Sequence, residues 1–181
     1  LISTELRTEA NIVVQTATAR DPHHFAVLFG YGATAVFPYL AYESIEDMRR
    51  TNELDKNTSV SKYIANYRKG INKGLFKILS KMGISTITSY RGSQLFETVG
   101  LSSDIVDLCF KGTPTRIEGT KFEHLELDQR RLAWEAFNPR KPMQQGGLFK
   151  SVHGGEYHAF NPDVVNSIRE AVQKNDQASY D

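Results

Sequence analysis

The sequence predicts an α/β fold in which helices dominate and the strands are few and short. Apolar residues recur at every third or fourth position over several long stretches, which is the period of an amphipathic helix. Two short runs, at residues 10–16 and 84–89, have instead the hydroxyl and β-branched content of strands. The 181 residues are 40% hydrophobic and 24% charged, so the chain can bury a core, and its length fits one domain or a large part of a bigger one.

The N-terminal region is predicted to contain a strand followed by a helix. Residues 1–7 have the pattern of a helix end, and the strand at 10–16 follows them. Asp21 is placed to cap the next helix, and Pro22 at its first position loses no hydrogen bond there. A glycine-rich break that begins at Gly30 ends this helix.

A second helical stretch covers residues 33–50. Pro38 lies inside it, so the helix is either kinked there or starts afresh. Residues 51–61 are polar and of mixed charge, and they predict a linker or a domain boundary. The chain is therefore divided into a first part, residues 1–55, and a second part, residues 56–181.

The clearest helix is predicted over about residues 61–82. One apolar stripe runs along it and is expected to face protein. The stripe consists of Ile64, Tyr67, Ile71, Leu75 and Ile78. Gly70 and Gly74 weaken this helix but allow another part of the backbone to approach closely, which makes both of them candidate packing positions. Gly83 stops the helix, and the predicted strand at 84–89 follows.

Three further helices are predicted downstream, over residues 102–110, 123–137 and 162–174. Asn161 is placed to cap the last of them. Residues 138–155 contain two prolines and two glycine pairs, which predicts an ordered loop.

The charge of the chain is unevenly distributed. Of 22 basic residues, eight lie within residues 56–96, where there is no acidic residue, so the remainder carries 14 basic against 21 acidic residues. Four lysines repeat at a spacing of four and form one ridge of the predicted helix: Lys69, Lys73, Lys77 and Lys81. The ridge is either a solvated face or a surface for a phosphate, an acidic partner or, least of all, a nucleic acid.

The sequence excludes several kinds of site. Cys109 is the only cysteine, so no disulfide framework and no zinc or iron–sulfur site with several local thiolates can form; its apolar neighbours predict a buried, inert thiol. There is no P-loop, no dinucleotide-binding glycine motif and no apolar run long enough for a membrane span. The N-terminus lacks a methionine and a signal core, so we expect an intracellular piece that begins in mid-protein or after processing.

The histidines give weak signals for metal binding. His23 and His24 are adjacent, so on a helix their rings point about 100° apart, and packing or hydrogen bonding is the favoured role. His153, Glu156 and His158 lie close together in a glycine-rich segment, without the spacing of four that a helical metal site uses.

Arg91 is the candidate ligand-binding residue. It follows the predicted strand at 84–89, and in α/β barrels ligand loops gather at the carboxyl ends of strands. An arginine there can bind carboxylate or phosphate in a planar, bidentate contact, although a structural ion pair is an equal alternative. Lys81 precedes the strand, about 20 Å away for six residues, and is expected to make a structural contact.

Ten motifs distributed over nearly the whole chain carry a family resemblance. They are 21–33 (DPHHFAVLFGYGA), 38–43 (PYLAYE), 67–75 (YRKGINKGL), 77–86 (KILSKMGIST), 89–92 (SYRG), 95–97 (LFE), 99–101 (VGL), 140–142 (RKP), 146–148 (GGL) and 153–163 (HGGEYHAFNPD). In these motifs the chain resembles the large (α) subunit of glutamate synthase, from the end of its central domain to the start of its synthase domain. The bacterial, pyridine-nucleotide-dependent form is the most similar.

The resemblance implies part of a cytoplasmic iron–sulfur flavoprotein. In that family ammonia from L-glutamine passes through an internal tunnel and adds to 2-oxoglutarate, and FMN reduces the imine to L-glutamate. Electrons come from NADPH through a small (β) flavoprotein subunit that carries FAD, and the large subunit holds a 3Fe-4S cluster and binds FMN in a (β/α)8 barrel. No nucleic acid or membrane takes part.

The resemblance also implies that this segment is inactive alone. The family's glutaminase uses an N-terminal cysteine, whereas residue 1 here is Leu, and its cluster needs three cysteines, whereas this chain has one. Residues 1–55 correspond to the end of the central domain, and residues 56–181 to a connector and the first part of the FMN-binding domain. The alternative is a non-catalytic scaffold of the same descent whose basic ridge binds an acidic partner.

Overall fold

Short parallel strands and one long helix organise the chain. The computed structural model describes residues 1–138, 151 and 157–180. Their elements are a 3₁₀ turn at Ile2–Thr4, β1 Val13–Gln15, α1 Pro22–Gly30, β2 Ala35–Phe37, α2 Tyr39–Arg50, α3 Val60–Lys81, α4 Ile87–Tyr90, β3 Thr98–Leu101, α5 Ser103–Cys109, β4 Thr115–Thr120, α6 Phe122–Ala136, α7 Pro162–Lys174 and a second 3₁₀ turn at Gln177–Ser179. The prediction of a helix-rich α/β chain with few short strands is confirmed.

The first strands and their connecting helix form a parallel β–α–β unit. β1 pairs with β2 in the register Val13 to Ala35, and α1 connects the two strands. The strand at 10–16 and the helix that begins at Pro22 are confirmed. The helix predicted over 33–50 is wrong in its first part, because residues 35–37 form β2 by pairing with β1. Pro38 separates this strand from α2, in agreement with a helix that starts afresh.

The long helix α3 confirms the prediction over 61–82. Ser59 caps it, because its hydroxyl accepts a hydrogen bond from the Lys62 N–H at 3.3 Å. All five residues of the predicted stripe are buried or half-buried, and Leu79 is buried beside them. α3 packs against α1 and α2 in this way. The residues before Ser59 form turns, as expected for a linker.

The predicted strand at 84–89 is wrong. Gly83 ends α3 with a φ of 70°, and the short helix α4 then begins at Ile87. Thr86 explains the difference, because its hydroxyl accepts from the Ser89 N–H at 3.4 Å and so caps a helical turn. The alternating hydroxyl residues that suggest a strand therefore serve as local capping groups.

The strands β3 and β4 were not predicted from the sequence. β3 and β4 form a two-stranded sheet and are connected by α5, which confirms the helix predicted over 102–110. The Thr98 N–H donates to Pro114 O and the Ser102 N–H to Thr120 O, both at 2.9 Å, so the two strands run parallel. A Cβ at Gly119 would lie 2.8 Å from the Gly100 carbonyl oxygen, which is why glycine is needed in β4.

The last two helices are confirmed over nearly the predicted residues. α7 spans the predicted range and ends at Asn175 in the left-handed conformation, with φ 53°. Asn161 stands at its N-cap position, but its side-chain oxygen accepts from the His158 N–H at 3.0 Å and does not cap the helix. The predicted loop at 138–155 falls mostly outside the described residues.

The chain divides into two compact units. The first comprises residues 1–99 and 110–116, and the second comprises the described parts of 100–109 and 117–181. The buried clusters of the first unit join α1, α3 and α4: Ala19, Phe25 and Ile71 form one, and Ala26, Leu79 and Tyr90 the other. None of the helices described has the length and apolar content needed to cross a membrane.

Candidate functional site

The lysine ridge lies on the exposed side of α3. Lys69, Lys73, Lys77 and Lys81 are all exposed. Among the described residues none of them forms an ion pair with a carboxylate. Neighbouring lysines at a spacing of four repel each other by about 0.2–0.5 kcal/mol. Burial of the stripe on the other side of α3 therefore holds this basic face in place, without ion pairs among the described residues.

A shallow groove of about 590 Å³ runs beside this ridge. We call it the Phe76 groove, and its lining residues are Ala65, Arg68, Lys69, Asn72, Lys73 and Phe76. All six belong to α3, so one helix forms the whole surface. Phe76 is 68% exposed, which is unusual for a phenylalanine on a helix that otherwise packs well.

Arg91 directly follows α4 and is half-buried. Its Nη1 donates a hydrogen bond to Thr34 Oγ1 at 3.2 Å. The Thr34 hydroxyl in turn donates to Asn11 Oδ1 at 3.2 Å and accepts from the Ile12 N–H at 3.4 Å. The expectation that Arg91 follows a strand is wrong, because α4 replaces the strand. Arg91 is instead linked through Thr34 to the segment that leads into β1.

Asp21 and its two histidine neighbours form the N-terminal cap of α1. Asp21 Oδ1 accepts from the backbone N–H groups of His23 at 2.8 Å and His24 at 3.2 Å, and His24 Nδ1 accepts from the Arg20 N–H at 3.1 Å. Desolvation acts to raise the pKa of Asp21, but the two backbone hydrogen bonds and the two nearby imidazoles outweigh it and lower that pKa. The His24 ring thus makes the hydrogen bond that the sequence favours for one of the two histidines.

Metal ligands do not come together in the described part of the chain. No group of three or more histidine, cysteine, aspartate or glutamate side chains there could hold a metal ion. His153 and Glu156 lie outside the described residues, so that candidate is not tested. Cys109 is exposed at the end of α5, and the prediction of a buried thiol is wrong. The turn of α5 directs Ile105 and Val106 inward and leaves the cysteine outside.

An aromatic cluster that the sequence did not reveal surrounds Tyr31. Its ring stacks on Phe96 with ring centroids 5.2 Å apart and meets Phe110 edge to face at 5.4 Å. Its hydroxyl lies 2.9 Å from the hydroxyl of Thr113. Gly30 is the residue of the sequence that this cluster explains, because a Cβ at position 30 would overlap the Phe96 ring.

Two tyrosines have perturbed ionisation. Burial, with the nearby Tyr42 and Asp21, raises the pKa of Tyr67, whose hydroxyl donates to Arg20 O at 2.8 Å. Burial alone raises the pKa of Tyr90, which is 2% exposed. Both shifts follow from packing in the first unit and keep the two phenols protonated.

The described residues do not fit an FMN or an iron–sulfur cluster. A single cysteine cannot supply the three thiolates of a 3Fe-4S site. A flavin needs a concave pocket that covers most of its surface, whereas the Phe76 groove has one wall only. A second hollow, of about 750 Å³ beside α7, is lined mainly by exposed residues that include the carboxylates of Asp163 and Glu170, which would repel a phosphate.

These observations define a class of protein: a helix-rich α/β segment built around a long basic helix, with short parallel strands and well-packed aromatic contacts. Comparison with known proteins identifies the family. The model of the glutamate synthase central domain matches residues 1–102. The chain belongs to the glutamate synthase family, and the resemblance in its motifs is confirmed.

The similarity to individual relatives extends beyond the matched domain. The chain is 40% identical to the glutamate synthase [NADPH] large chain of Bacillus subtilis over 97% of its length, covering 12% of that protein. It is 36% identical to the glutamate synthase [NADH] of Schizosaccharomyces pombe over 99% of its length, and 39% identical to the ferredoxin-dependent glutamate synthase 1 of Arabidopsis thaliana over 99%. It covers 9% and 12% of those proteins, so it spans about a tenth of their length.

Proposed function

We propose that this chain is a segment of the catalytic large subunit of a glutamate synthase. The complete subunit makes L-glutamate from glutamine-derived ammonia and 2-oxoglutarate, and a bound FMN reduces the intermediate imine with electrons that originate from NADPH. The observation that carries the proposal is the identity of 36–40% over nearly the whole chain to glutamate synthases of three donor types. The NADPH-dependent large chain among them supports the choice of donor.

The proposal includes the rest of the cytoplasmic enzyme. FMN and the 3Fe-4S cluster bind to parts of the large subunit outside this segment, and a small flavoprotein subunit with FAD passes on the electrons of NADPH. Within the segment, residues 1–55 end the central domain and residues 56–181 lead to the FMN-binding barrel. The family model of the central domain extends past residue 55 to residue 102, and α3 packs on α1 and α2, which supports assigning residues 56–102 to the connector rather than to the barrel.

The test uses the complete subunit that contains this segment, purified with its small subunit. We expect glutamate formation that requires both glutamine and 2-oxoglutarate and is faster with NADPH than with NADH or reduced ferredoxin. Absence of glutamate formation with all three donors, in folded and flavin-loaded protein, would overturn the proposal. Preference for NADH or ferredoxin would overturn the choice of donor alone.

The 181-residue chain by itself serves as the control. We expect it to bind no stoichiometric FMN and to form no glutamate, because its described residues fit neither the flavin nor the cluster. A yellow complex that holds one FMN per chain would contradict this part of the proposal.

We further propose that Arg91 lies on the ligand or tunnel side of the subunit and that Lys81 makes a structural contact. Arg91 is half-buried and fixed by its hydrogen bond to Thr34, whereas Lys81 is exposed at the end of α3. In the complete enzyme, Arg91→Ala should lower glutamate formation more than Lys81→Ala at equal flavin content. Equal activities, or the reverse order, would show that the assignment is wrong.

A further inference from the structure

The Phe76 groove has the residue spacing of a helix-docking surface. Its six residues occupy positions i, i+3, i+4, i+7, i+8 and i+11 of α3, which follow one face over three turns, about 16 Å in length. This face is distinct from the stripe that α3 buries against α1 and α2. Since one helix forms the whole groove, a second helix laid along it would supply the missing wall.

The chemistry of the groove defines the partner. Arg68, Lys69 and Lys73 supply three positive charges, and among the described residues none of them is paired with a carboxylate. Phe76 places an exposed aromatic ring at one end of the same surface. A helix that carries carboxylates at a spacing of three or four around an apolar residue satisfies both features, because it neutralises the cations and covers the ring.

We propose that the Phe76 groove binds an acidic amphipathic helix from the remainder of the same subunit. The inference rests on the proposed function, because it takes the chain as a segment of a polypeptide about ten times longer, of which most therefore lies outside the structure. A nucleic acid also pairs with cations and aromatic rings, but outside residues 56–96 the chain has 21 acidic residues against 14 basic ones, which repel a polyphosphate.

The test is zero-length carbodiimide cross-linking of the purified complete subunit, which joins a lysine amine only to a carboxylate in direct contact. We expect Lys69 and Lys73 to be cross-linked to aspartate or glutamate residues of the same polypeptide. Lys111 is an exposed lysine outside the groove and serves as the control. In the same protein, acylation of Lys69 and Lys73 by a soluble reagent should be about tenfold slower than that of Lys111, since docking protects the two amines.

A matched pair of variants tests the aromatic part of the surface. Phe76→Asp should reduce the cross-links of Lys69 and Lys73 about tenfold, by repelling the acidic helix and removing the apolar anchor. Leu95→Asp, at an exposed apolar position outside the groove, should leave the same cross-links unchanged. Both side chains are exposed, so either variant is expected to fold.

Three results would overturn the proposal. The first is that both lysines are cross-linked only to another protein, and the second is that they form no cross-links and are acylated as fast as Lys111. The third is that the two amines are protected from acylation only when a single-stranded oligonucleotide is added. Glutamate formation is measured on the same preparation after the small subunit is added, with each of the three electron donors. Cross-links in a protein that forms no glutamate would overturn the proposed function alone. Glutamate formation without cross-links, and with acylation as fast as at Lys111, would overturn the docking site alone.

Discussion

The helices α1 and α3 of the first unit and α6 of the second are all predicted by the sequence, but they are held in place differently. In the first unit, α1 and α3 share a core in which Phe25 and Ile71 are 6% and 8% exposed. In the second unit, α6 leaves Trp134 60% exposed, and Phe137 directly after it is 87% exposed. In α6, ion pairs between side chains four residues apart stabilise the helix, for example Arg130 with Glu126.

The comparison shows that helical periodicity and tertiary stabilisation are separate properties. Burial of one large aliphatic side chain contributes several times more than an exposed ion pair, about 2 kcal/mol against about 0.3–0.5 kcal/mol. We therefore expect α1 and α3 to resist unfolding and α6 and α7 to depend on contacts with other parts of the polypeptide.

The largest effect is expected from Ile71→Ala in α3. It should lower the free energy of unfolding by about 2–5 kcal/mol, because it opens a cavity in the cluster around Phe25. Leu132→Ala in α6, where the side chain is exposed, should cost less than about 1 kcal/mol. Urea denaturation followed by far-UV circular dichroism measures both values. Similar losses in the two variants would show that the units do not differ in the proposed way.

The second prediction separates the two glycines of α3. A Cβ at Gly74 would overlap the Pro22 ring, so Gly74→Ala should destabilise the protein by about 1–3 kcal/mol. A Cβ built at Gly70 would meet no other part of the chain within 4 Å. Gly70→Ala should therefore stabilise the helix by up to about 1 kcal/mol. Thermal unfolding midpoints measure the contrast. If both variants shift the midpoint in the same direction, the close contact between α1 and α3 is wrong.

The third prediction concerns the cap of α1. Asp21→Ala removes the acceptor for two backbone N–H groups and should cost about 1 kcal/mol. Because folding lowers the pKa of Asp21, its carboxylate stabilises the protein above the unfolded-state pKa, and that contribution is lost as the pH falls through the folded-state pKa.

The control for the cap is Asp21→Asn, which keeps a good capping oxygen without the charge. Melting temperatures between about pH 2 and pH 6 should fall less steeply in this variant than in the wild type. An identical decline in both proteins would contradict the role of the Asp21 carboxylate.

The smallest effect is expected from Glu126→Gln in α6. It breaks the pair with Arg130 and should cost about 0.3–0.5 kcal/mol at low ionic strength. In about 1 M salt, where screening acts over about 3 Å, the difference from the wild type should disappear. A loss above about 1 kcal/mol, or one that salt does not change, would show that this pair is part of a buried network.

The sequence predicts the long elements well because their signals are local. The apolar stripe of α3 runs from Ile64 to Ile78 within a 22-residue helix, and proline at the first helical position marks the starts of α1 and α7. β2 was missed because it has three residues and exists through pairing with β1, about 20 residues earlier. The prediction of a strand at 84–89 was wrong because Thr86 caps a helical turn. The alternation of hydroxyl residues does not distinguish such a cap from a strand.

The candidate site was predictable only in its charge. The repeat of four lysines indicates a basic ridge, and the ridge is exposed as expected. The Phe76 groove required the structure, because a phenylalanine in an amphipathic helix is ordinarily assigned to the core. Arg91 could be selected by its chemistry, but its partner Thr34 lies 57 residues away and the sequence contains no signal for it.

The contact between Tyr31 and Thr113 has a consequence for the order of folding. It joins residues 82 positions apart, whereas β1 and β2 pair across 22 positions. Closing the longer loop costs about 1 kcal/mol more in chain entropy, so the pairing of β1 with β2 and the docking of α3 can precede it in time. Mutations in the cluster of Tyr31, Phe96 and Phe110 are then expected to accelerate unfolding and to leave the refolding rate nearly unchanged, the behaviour of contacts that form after the rate-limiting barrier.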